Sequence, residues 1–292
     1  MNISTEDKAH VLIEALPYIQ KFAGKIIVIK YGGSTITPDS GAVDPVILDI
    51  IWMKRVGLQP VIVHGGGKAI SHLLERLGHQ ARFLDGLRVT DETTMEVVEM
   101  VLGGQVNKQL VSSFTANGCA AAGLTGVDGG TLQVSRKQHP DGDIGLVGEV
   151  QAVDTTLVHT LLQGGFIPVI APVGLDEHGV RYNVNADSAA GAIAGALGAE
   201  KLILLTDVPG IMQETAEGRK VLSQVTPAQI ADLIEDGTIR GGMVPKVEAC
   251  LNALDQGARH VHILNGKQKH ALLLEVFTDR GIGTLVRGEN EA

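Results

Sequence analysis

Lysine beside paired glycines is a combination that suits chemistry on phosphate, and this sequence uses it more than once. The stretch Ile26-Ile27-Val28-Ile29-Lys30-Tyr31-Gly32-Gly33-Ser34 is an apolar run that ends in a cation and two glycines. Glycine lets backbone N–H groups approach an anion closely, and lysine adds a compact positive charge. Taken alone, the stretch serves equally well as a strand running into an ordinary turn. A second apolar run, Pro60-Val61-Ile62-Val63, leads into His64-Gly65-Gly66-Gly67, and Arg240-Gly241-Gly242-Met243-Val244-Pro245-Lys246 opens a later helix. Glycine loops with interspersed cations and one carboxylate candidate are the equipment of phosphoryl transfer, which asks mainly for positioning and for neutralisation of spread negative charge.

Other chemistries fit less well. Gly67-Lys68 is followed by Ala69, so the G-x-x-x-x-G-K-[ST] phosphate loop is missing. The first strand is not followed by G-x-G-x-x-G, against a dinucleotide site. The His64 loop would need a G-x-S-x-G elbow to work as a hydrolase oxyanion loop, and the chain has none. His260 and His262 share one face of a strand, but no carboxylate or cysteine stands near them in sequence, so no metal site is expected. Cys119 and Cys250 match no zinc spacing and read as reduced core residues. The net charge of −9 disfavours nucleic acid as a partner, although a local pocket can still be basic. The N-terminus lacks the pattern of a signal peptide, and no apolar stretch reaches the ~18 residues of a membrane span. The expectation is a cytoplasmic protein.

These loops need elements to hold them. At 292 residues, 44% apolar but only 3% aromatic and with 37 glycines, the chain suits an α/β protein with many tight junctions. Thr5 to Phe22 carries apolar residues at helical spacing, with Ser4 or Thr5 as cap and Pro17 as an expected kink. Strand–helix alternation follows: a helix near Val43–Val56, a helix from Lys68 to Leu77, and a β-ribbon from Gln80 to Val89 carrying Arg88. A helix runs from Thr90-Asp91 to Asn117 with a break expected at Gly103-Gly104. After strand Cys119–Leu124 come a hairpin from Thr131 to Val153, helix Asp154–Leu162 and strand Phe166–Ile170. Beyond a boundary near Pro172–Gly179 lie a small-residue helix to Leu197, strand Lys201–Leu205 and helix Pro227–Glu235. The helix after Lys246, strand His260–Leu264, a short helix at His270–Phe277 and strand Thr284–Val286 close the chain. The predicted fold is a mainly parallel open sheet sandwiched by helices, with ligands in the crevice where glycine-ended strands lie side by side. The expected units are an N-terminal helix (1–24) and two lobes (25–175 and 176–292).

Six stretches in this order resemble the amino-acid kinase family, in its branch acting on N-acetyl-L-glutamate. They are Lys30-Tyr31-Gly32-Gly33, His64-Gly65-Gly66-Gly67, Gly86-Leu87-Arg88-Val89-Thr90-Asp91, Asn183-Val184-Asn185-Ala186-Asp187, Leu205-Thr206-Asp207-Val208-Pro209-Gly210 and Gly241-Gly242-Met243-Val244-Pro245-Lys246. The resemblance covers nearly the whole length. It implies transfer of the ATP γ-phosphate to the side-chain carboxylate of N-acetyl-L-glutamate, with Mg²⁺ riding on the ATP phosphates. It implies that Lys30 and Lys246 stabilise the moving phosphoryl group and that Asp187 holds both lysines. Gly66, Gly67, Arg88, Asn183 and Asn185 would bind the substrate, Arg88 through its α-carboxylate. Gly32, Gly33, Thr206, Asp207, Gly210, Ile211 and Arg240 would serve the nucleotide, with Thr238 beside them. Without the motifs, Arg88 is also readable as an exposed ribbon charge and Asp187 as a helix cap. Lys246 near a helix start is electrostatically unusual.

The ends add a regulatory expectation. Glu14-Ala15-Leu16-Pro17-Tyr18-Ile19 looks like the N-terminal helix of arginine-inhibited members, which interlaces dimers into a homohexamer. The C-terminal residues His270, Glu275, Gly281 and Gly283 lie in a stretch similar to their arginine-site signature, with Glu275 expected to pair the guanidinium. Two departures stand out: Ser34-Thr35-Ile36 where many relatives have Asn-Ala-Met, and Val127-Asp128-Gly129 where many have Lys-Asp-Gly. The alternatives are a kinase of the same family acting on glutamate, aspartate, carbamate or UMP, and a non-catalytic sensor of arginine or nucleotide.

Overall fold

Ile26–Tyr31 is apolar at both parities, so as a strand it has to be covered on both faces. The computed structural model describes residues 4–32, 43–215, 218–279 and 281–288. In chain order the first elements are α1 (Thr5–Phe22), β1 (Ile26–Tyr31), α2 (Pro45–Arg55), β2 (Gln59–His64), α3 (Gly67–Arg76), β3 (Phe83–Leu84), β4 (Leu87–Arg88), α4 (Glu92–Glu99), α5 (Asn107–Ala116) and β5 (Ala121–Thr125). Next come β6 (Leu132–Arg136), β7 (Val147–Val153), α6 (Thr156–Gln163), β8 (Ile167–Ala171), β9 (Val173–Leu175), β10 (Arg181–Val184) and α7 (Ala186–Ala196). The chain ends with β11 (Lys201–Thr206), β12 (Met212–Thr215), β13 (Gly218–Val221), β14 (Gln224–Val225), α8 (Pro227–Glu235), α9 (Val244–Asp255), β15 (His260–Asn265), α10 (Ala271–Val276) and β16 (Thr284–Arg287).

Eight strands form one sheet in the order β14-β16-β15-β11-β1-β2-β8-β5, parallel at every step except β15–β16. The expected mainly parallel sheet is therefore present, with β1 inside it. Ile27, Ile29 and Tyr31 enter one core with α2, α3 and α5, whereas Val28 enters the other with α6, α7 and α9. β1 lies between β2 and β11, so its C-terminal end opens where the strand order departs in two directions. That is the crevice position for ligands in open α/β sheets.

Three details differ from the sequence reading or were not part of it. Gly103-Gly104 does not break the helix; α4 and α5 are joined by a π-helical turn, Met100–Val106. Glycine at 103 lets that turn sit against β5, since a Cβ there would lie 3.2 Å from Thr125 Cγ2. The hairpin β6–β7 does not stand alone: with β9 and β10 it closes a four-stranded barrel, and β9 occupies part of the stretch read as the junction of the lobes. Finally, β12–β13 is a hairpin for which the sequence offered no strong alternation.

α1 begins at a capping box on Ser4, whose Oγ accepts from the Asp7 amide at 3.0 Å. Pro17 lies within the helix, which continues to Phe22. Its C-terminal end is anchored by buried Phe22 and by the Tyr18 hydroxyl, which donates to Asp279. Val11, Leu12 and Ile13 stay 58–70% exposed.

Candidate active site

The small residues of α7 decide where two charged groups meet. A Cβ on Gly191 would lie 3.2 Å from Ala253 Cβ, and one on Gly195 would run into the Gln256 backbone. α7 and α9 therefore pack at close range along their length. Asp187 lies in the first turn of α7 and Lys246 in the first turn of α9, while Lys30 reaches them from the end of β1. Lys30 Nζ is 2.7 Å from Asp187 Oδ1, an ion-pair distance off the line of a hydrogen bond. Lys246 Nζ is 4.0 Å from Asp187 Oδ2. The three side chains are 11–24% exposed. Two cations sharing one carboxylate leave a net positive charge in a partly dehydrated place, where Coulomb attraction for an anion is strengthened. Asp187 is not the cap of α7. That role belongs to Asn185, whose Oδ1 accepts from the Asp187 and Ser188 amides at 2.8 and 3.1 Å.

Beside this trio lies a cavity of about 200 Å³, lined by Gly65–Gly67, Arg88, Asn183 and Asn185 among others. Arg88 is not an exposed ribbon charge: it is 7% exposed. Its Nη2 donates to the Gly67 carbonyl (2.8 Å) and to Ser71 Oγ (2.9 Å), and its guanidinium lies 4.7 Å from the centre of the Phe83 ring. Nη1 is buried and has no partner among the described residues. A buried cation without a carboxylate is costly, and burial lowers the pKa of Arg88. An incoming carboxylate would repair both faults. Asn183 Nδ2 donates to Thr90 Oγ1 at 3.1 Å, and Thr90 in turn donates to the Arg88 carbonyl at 2.7 Å. Asn183 and Arg88 are thus held in one frame. Ser71 and Phe83 carried no signal of this role in sequence; helical spacing and ribbon position alone place them here.

On the other side of β11 a larger cavity, about 550 Å³, is lined by Gly210, Ile211, Thr238, Arg240 and the β12–β13 hairpin. Gly210, at φ +152°, cannot be replaced without strain, because a Cβ would meet Thr284 Oγ1 at 2.5 Å. Thr206 is buried and shapes the loop, accepting from the Val208 amide at 3.2 Å and donating to the Val208 carbonyl at 2.9 Å. Asp207 is exposed just after it. Met212, Gln213, Arg219 and Met243 also line this cavity and were not singled out in sequence. Gly32 is buried just past β1, whereas Gly33 and Ser34-Thr35-Ile36 lie outside the described residues. The Tyr31 hydroxyl donates to Asp44, the cap of α2.

The C-terminal signature is brought together in part. Glu275 Oε2 accepts from the Ile282 and Gly283 amides (2.7 and 3.1 Å), and Gly281, at φ +54°, lies directly over the carboxylate. Glu275 Oε1 is 2.6 Å from His262 Nδ1, and His262 Nε2 is 2.9 Å from Lys201 Nζ. His262 therefore does have a carboxylate neighbour, supplied by the fold. Lys201 donates to Nε2 and Nδ1–H donates to Glu275, so the imidazole is neutral. Burial lowers its pKa to about 4 and that of Lys201 to about 8. Burial alone would raise Glu275, but the His262 contact and the two amides outweigh it and hold the carboxyl below its usual value. His270 points elsewhere: its Nδ1 is 2.7 Å from Asp49 Oδ1 on α2.

The sequence matches the amino acid kinase family over residues 25–265. The chain belongs to the amino acid kinase family. It is 52% identical over 289 residues to the acetylglutamate kinase of Pelotomaculum thermopropionicum, covering 96% of this chain and 98% of that one. Among solved structures of similar fold is the N-acetylglutamate synthase of Neisseria gonorrhoeae with coenzyme A and N-acetyl-glutamate, at TM-score 0.84 and 26% identity. The match covers 97% of this chain but 64% of the synthase. A second structure of that synthase, with coenzyme A and L-arginine, matches at TM-score 0.79 and 25% identity over 96% of this chain and 65% of that one. No helix among the described residues of this family member is long and apolar enough to cross a membrane.

Proposed function

We propose that the chain transfers the γ-phosphoryl group of ATP to the side-chain carboxylate of N-acetyl-L-glutamate, a step of arginine biosynthesis. The observation that carries this is the Lys30–Asp187–Lys246 trio together with a cavity lined by Arg88, whose buried Nη1 has no partner among the described residues. The acceptor carboxylate is ionised at neutral pH, so no general base is needed. Its oxygen forms a bond to the γ-phosphorus while the bond to the β,γ-bridging oxygen breaks, and that electron pair leaves with ADP. The products are an acyl phosphate and ADP. The barrier is repulsion between anions, which Lys30 and Lys246 offset, with Asp187 fixing their spacing. The larger cavity suits the nucleotide and the smaller one the amino-acid end. Asp187, the carboxylate of the trio, is already shared between two ammonium groups, which leaves a magnesium ion to the phosphate oxygens.

Turnover of ATP with N-acetylglutamate, glutamate, aspartate, carbamate and UMP as acceptors tests this reading. N-acetylglutamate should be used best. Arg88→Lys should raise its KM by about 10²-fold through loss of the two-pronged grip on the α-carboxylate, with ATP KM nearly unchanged. Preference for another acceptor would overturn the assignment, and absence of turnover with all five would favour a sensor.

Feedback by L-arginine belongs to the same proposal. Glu275 is fixed by two amides and by His262, and Tyr18 of α1 reaches Asp279 four residues beyond it. The exposed apolar stripe Val11, Leu12, Ile13 and Leu16 on α1 supports helix pairing between copies and a hexameric assembly. Millimolar arginine should lower the initial rate. Glu275→Gln should weaken that inhibition by at least about tenfold, as expected for a lost charged hydrogen bond. Deleting residues 1–24 should split the assembly into dimers by light scattering; an intact hexamer would remove α1 from the interface.

A further inference from the structure

His64 is completely buried at the end of β2, directly before Gly65-Gly66-Gly67, and the phosphoryl-transfer scheme above gives it no task. Its surroundings fix its protonation. Asn107, also fully buried, directs its Nδ2 to the Val169 carbonyl (2.8 Å), the Leu124 carbonyl (3.3 Å) and His64 Nε2 (3.2 Å). Two carbonyl acceptors require the NH2 on that side of the amide, so Nε2 is an acceptor and carries no proton. Nδ1 lies 3.0 Å from the Gly65 carbonyl, again an acceptor, so Nδ1 carries the proton. Burial agrees, lowering the pKa of His64 to about 4.

The Gly65 carbonyl belongs to the peptide whose N–H is that of Gly66. In a planar trans peptide the two point in opposite directions. Turning the carbonyl inward onto His64 therefore turns the Gly66 N–H outward, and Gly66 lines the smaller cavity. The preceding N–H, that of Gly65, is held by the Tyr31 carbonyl at 3.0 Å. The rear of the loop rests on the π-helical turn: a Cβ on Gly66 would lie 2.5 Å from Leu102 Cδ2 and 3.5 Å from Val106 Cγ2. Asn107 follows that turn directly and has room because residue 123 is glycine, whose Cβ would overlap Asn107 Oδ1. π turns widen a helix locally and recur beside functional sites.

We propose that His64 is a positioning residue: as a neutral, Nδ1-protonated imidazole backed by Asn107 and the π-helical turn, it aims the Gly66 N–H at the anion bound in the smaller cavity. The inference rests on the phosphoryl-transfer reading for its kinetic test. Two variants separate the ends of the ring. Asparagine can present an N–H near the Nδ1 position, whereas glutamine reaches the Nε2 position and has no donor for Gly65. His64→Asn should keep kcat within about threefold of the parent. His64→Gln should lose about 30- to 100-fold in kcat, the scale of one misaimed oxyanion donor, with ATP KM within about twofold and the same melting temperature as His64→Asn. Equal losses in the two variants, or losses that follow melting temperature, would overturn the proposal. Nitrogen-15 shifts of the histidine side chains in the unaltered protein give a second readout. Nδ1 should be of pyrrole type and Nε2 of pyridine type from pH 5.5 to 8; the opposite tautomer or a charged ring would overturn it. If the parent turns over none of the acceptors, the functional reading fails, and the nitrogen shifts still decide the role of His64.

Discussion

Lys30→Ala should lower kcat by about 10³-fold while leaving the KM for N-acetylglutamate within a few fold, because the interaction it removes is strongest when charge is spread over the transferring group. The substitution takes away one of two cations on Asp187 and leaves that carboxylate with Lys246 alone, at 4.0 Å. Asp187→Asn should cost less, about 10²-fold, since both lysines remain but lose their common anchor. The double variant should fall well short of the product of the two losses, as groups acting together are not additive. Single-turnover measurement at saturating substrate checks this directly. If Lys30 served only to neutralise Asp187, its removal would lower the melting temperature and spare kcat.

The second large effect concerns acid. His64 and His262 are 0% and 3% exposed, and burial holds both near pKa 4, against about 6.5 in an unfolded chain. Between those values the unfolded state binds the extra protons, so stability is fully present above about pH 6.5 and declines as pH falls towards 4. Both histidines contribute to that loss, His262 together with the Glu275 carboxylate it faces. Asp49 works in the opposite direction, since burial raises its carboxyl and acid relieves it. Urea unfolding at fixed protein concentration should show a steep loss from pH 6.5 to 4.5, with His262→Gln removing part of the slope. Constant stability between pH 7 and pH 5 would contradict this account.

The glycine-ended strands and the order of most elements were legible because each depends on local physics, apolar parity and glycine freedom. The cap of α7 was placed at Asp187, two residues late, because both Asn185 and Asp187 have capping side chains and only the backbone shows which one accepts. Lys30, Asp187 and Lys246 could be named from motif resemblance, but their meeting depends on the α7–α9 contact, which small residues permit and no local signal dictates. The four-stranded barrel was hidden for a related reason. Its strands β9 and β10 are short, β9 lies in the stretch that looks like a junction, and only pairing with a distant hairpin gives them structure. His262 shows the limit most clearly. No carboxylate follows it nearby in sequence, yet α10 and the loop after it bring Glu275 within 2.6 Å. The π turn was missed because two glycines read as a stop, whereas here they serve as clearance for a helix against a strand.

The position of β1 within the sheet also has a consequence during synthesis. β1 pairs with β2 almost at once, but its other neighbour, β11, starts about 140 residues after β2 ends. At ordinary elongation rates that edge stays open for on the order of 10 s as the chain leaves the ribosome. Ile-Ile-Val-Ile is an adhesive edge to leave unpaired. The second lysine of the trio, Lys246, comes later still than β11, so a chain cut short by premature termination before it carries the sticky strand without the chemistry, and the cell gains by removing it quickly.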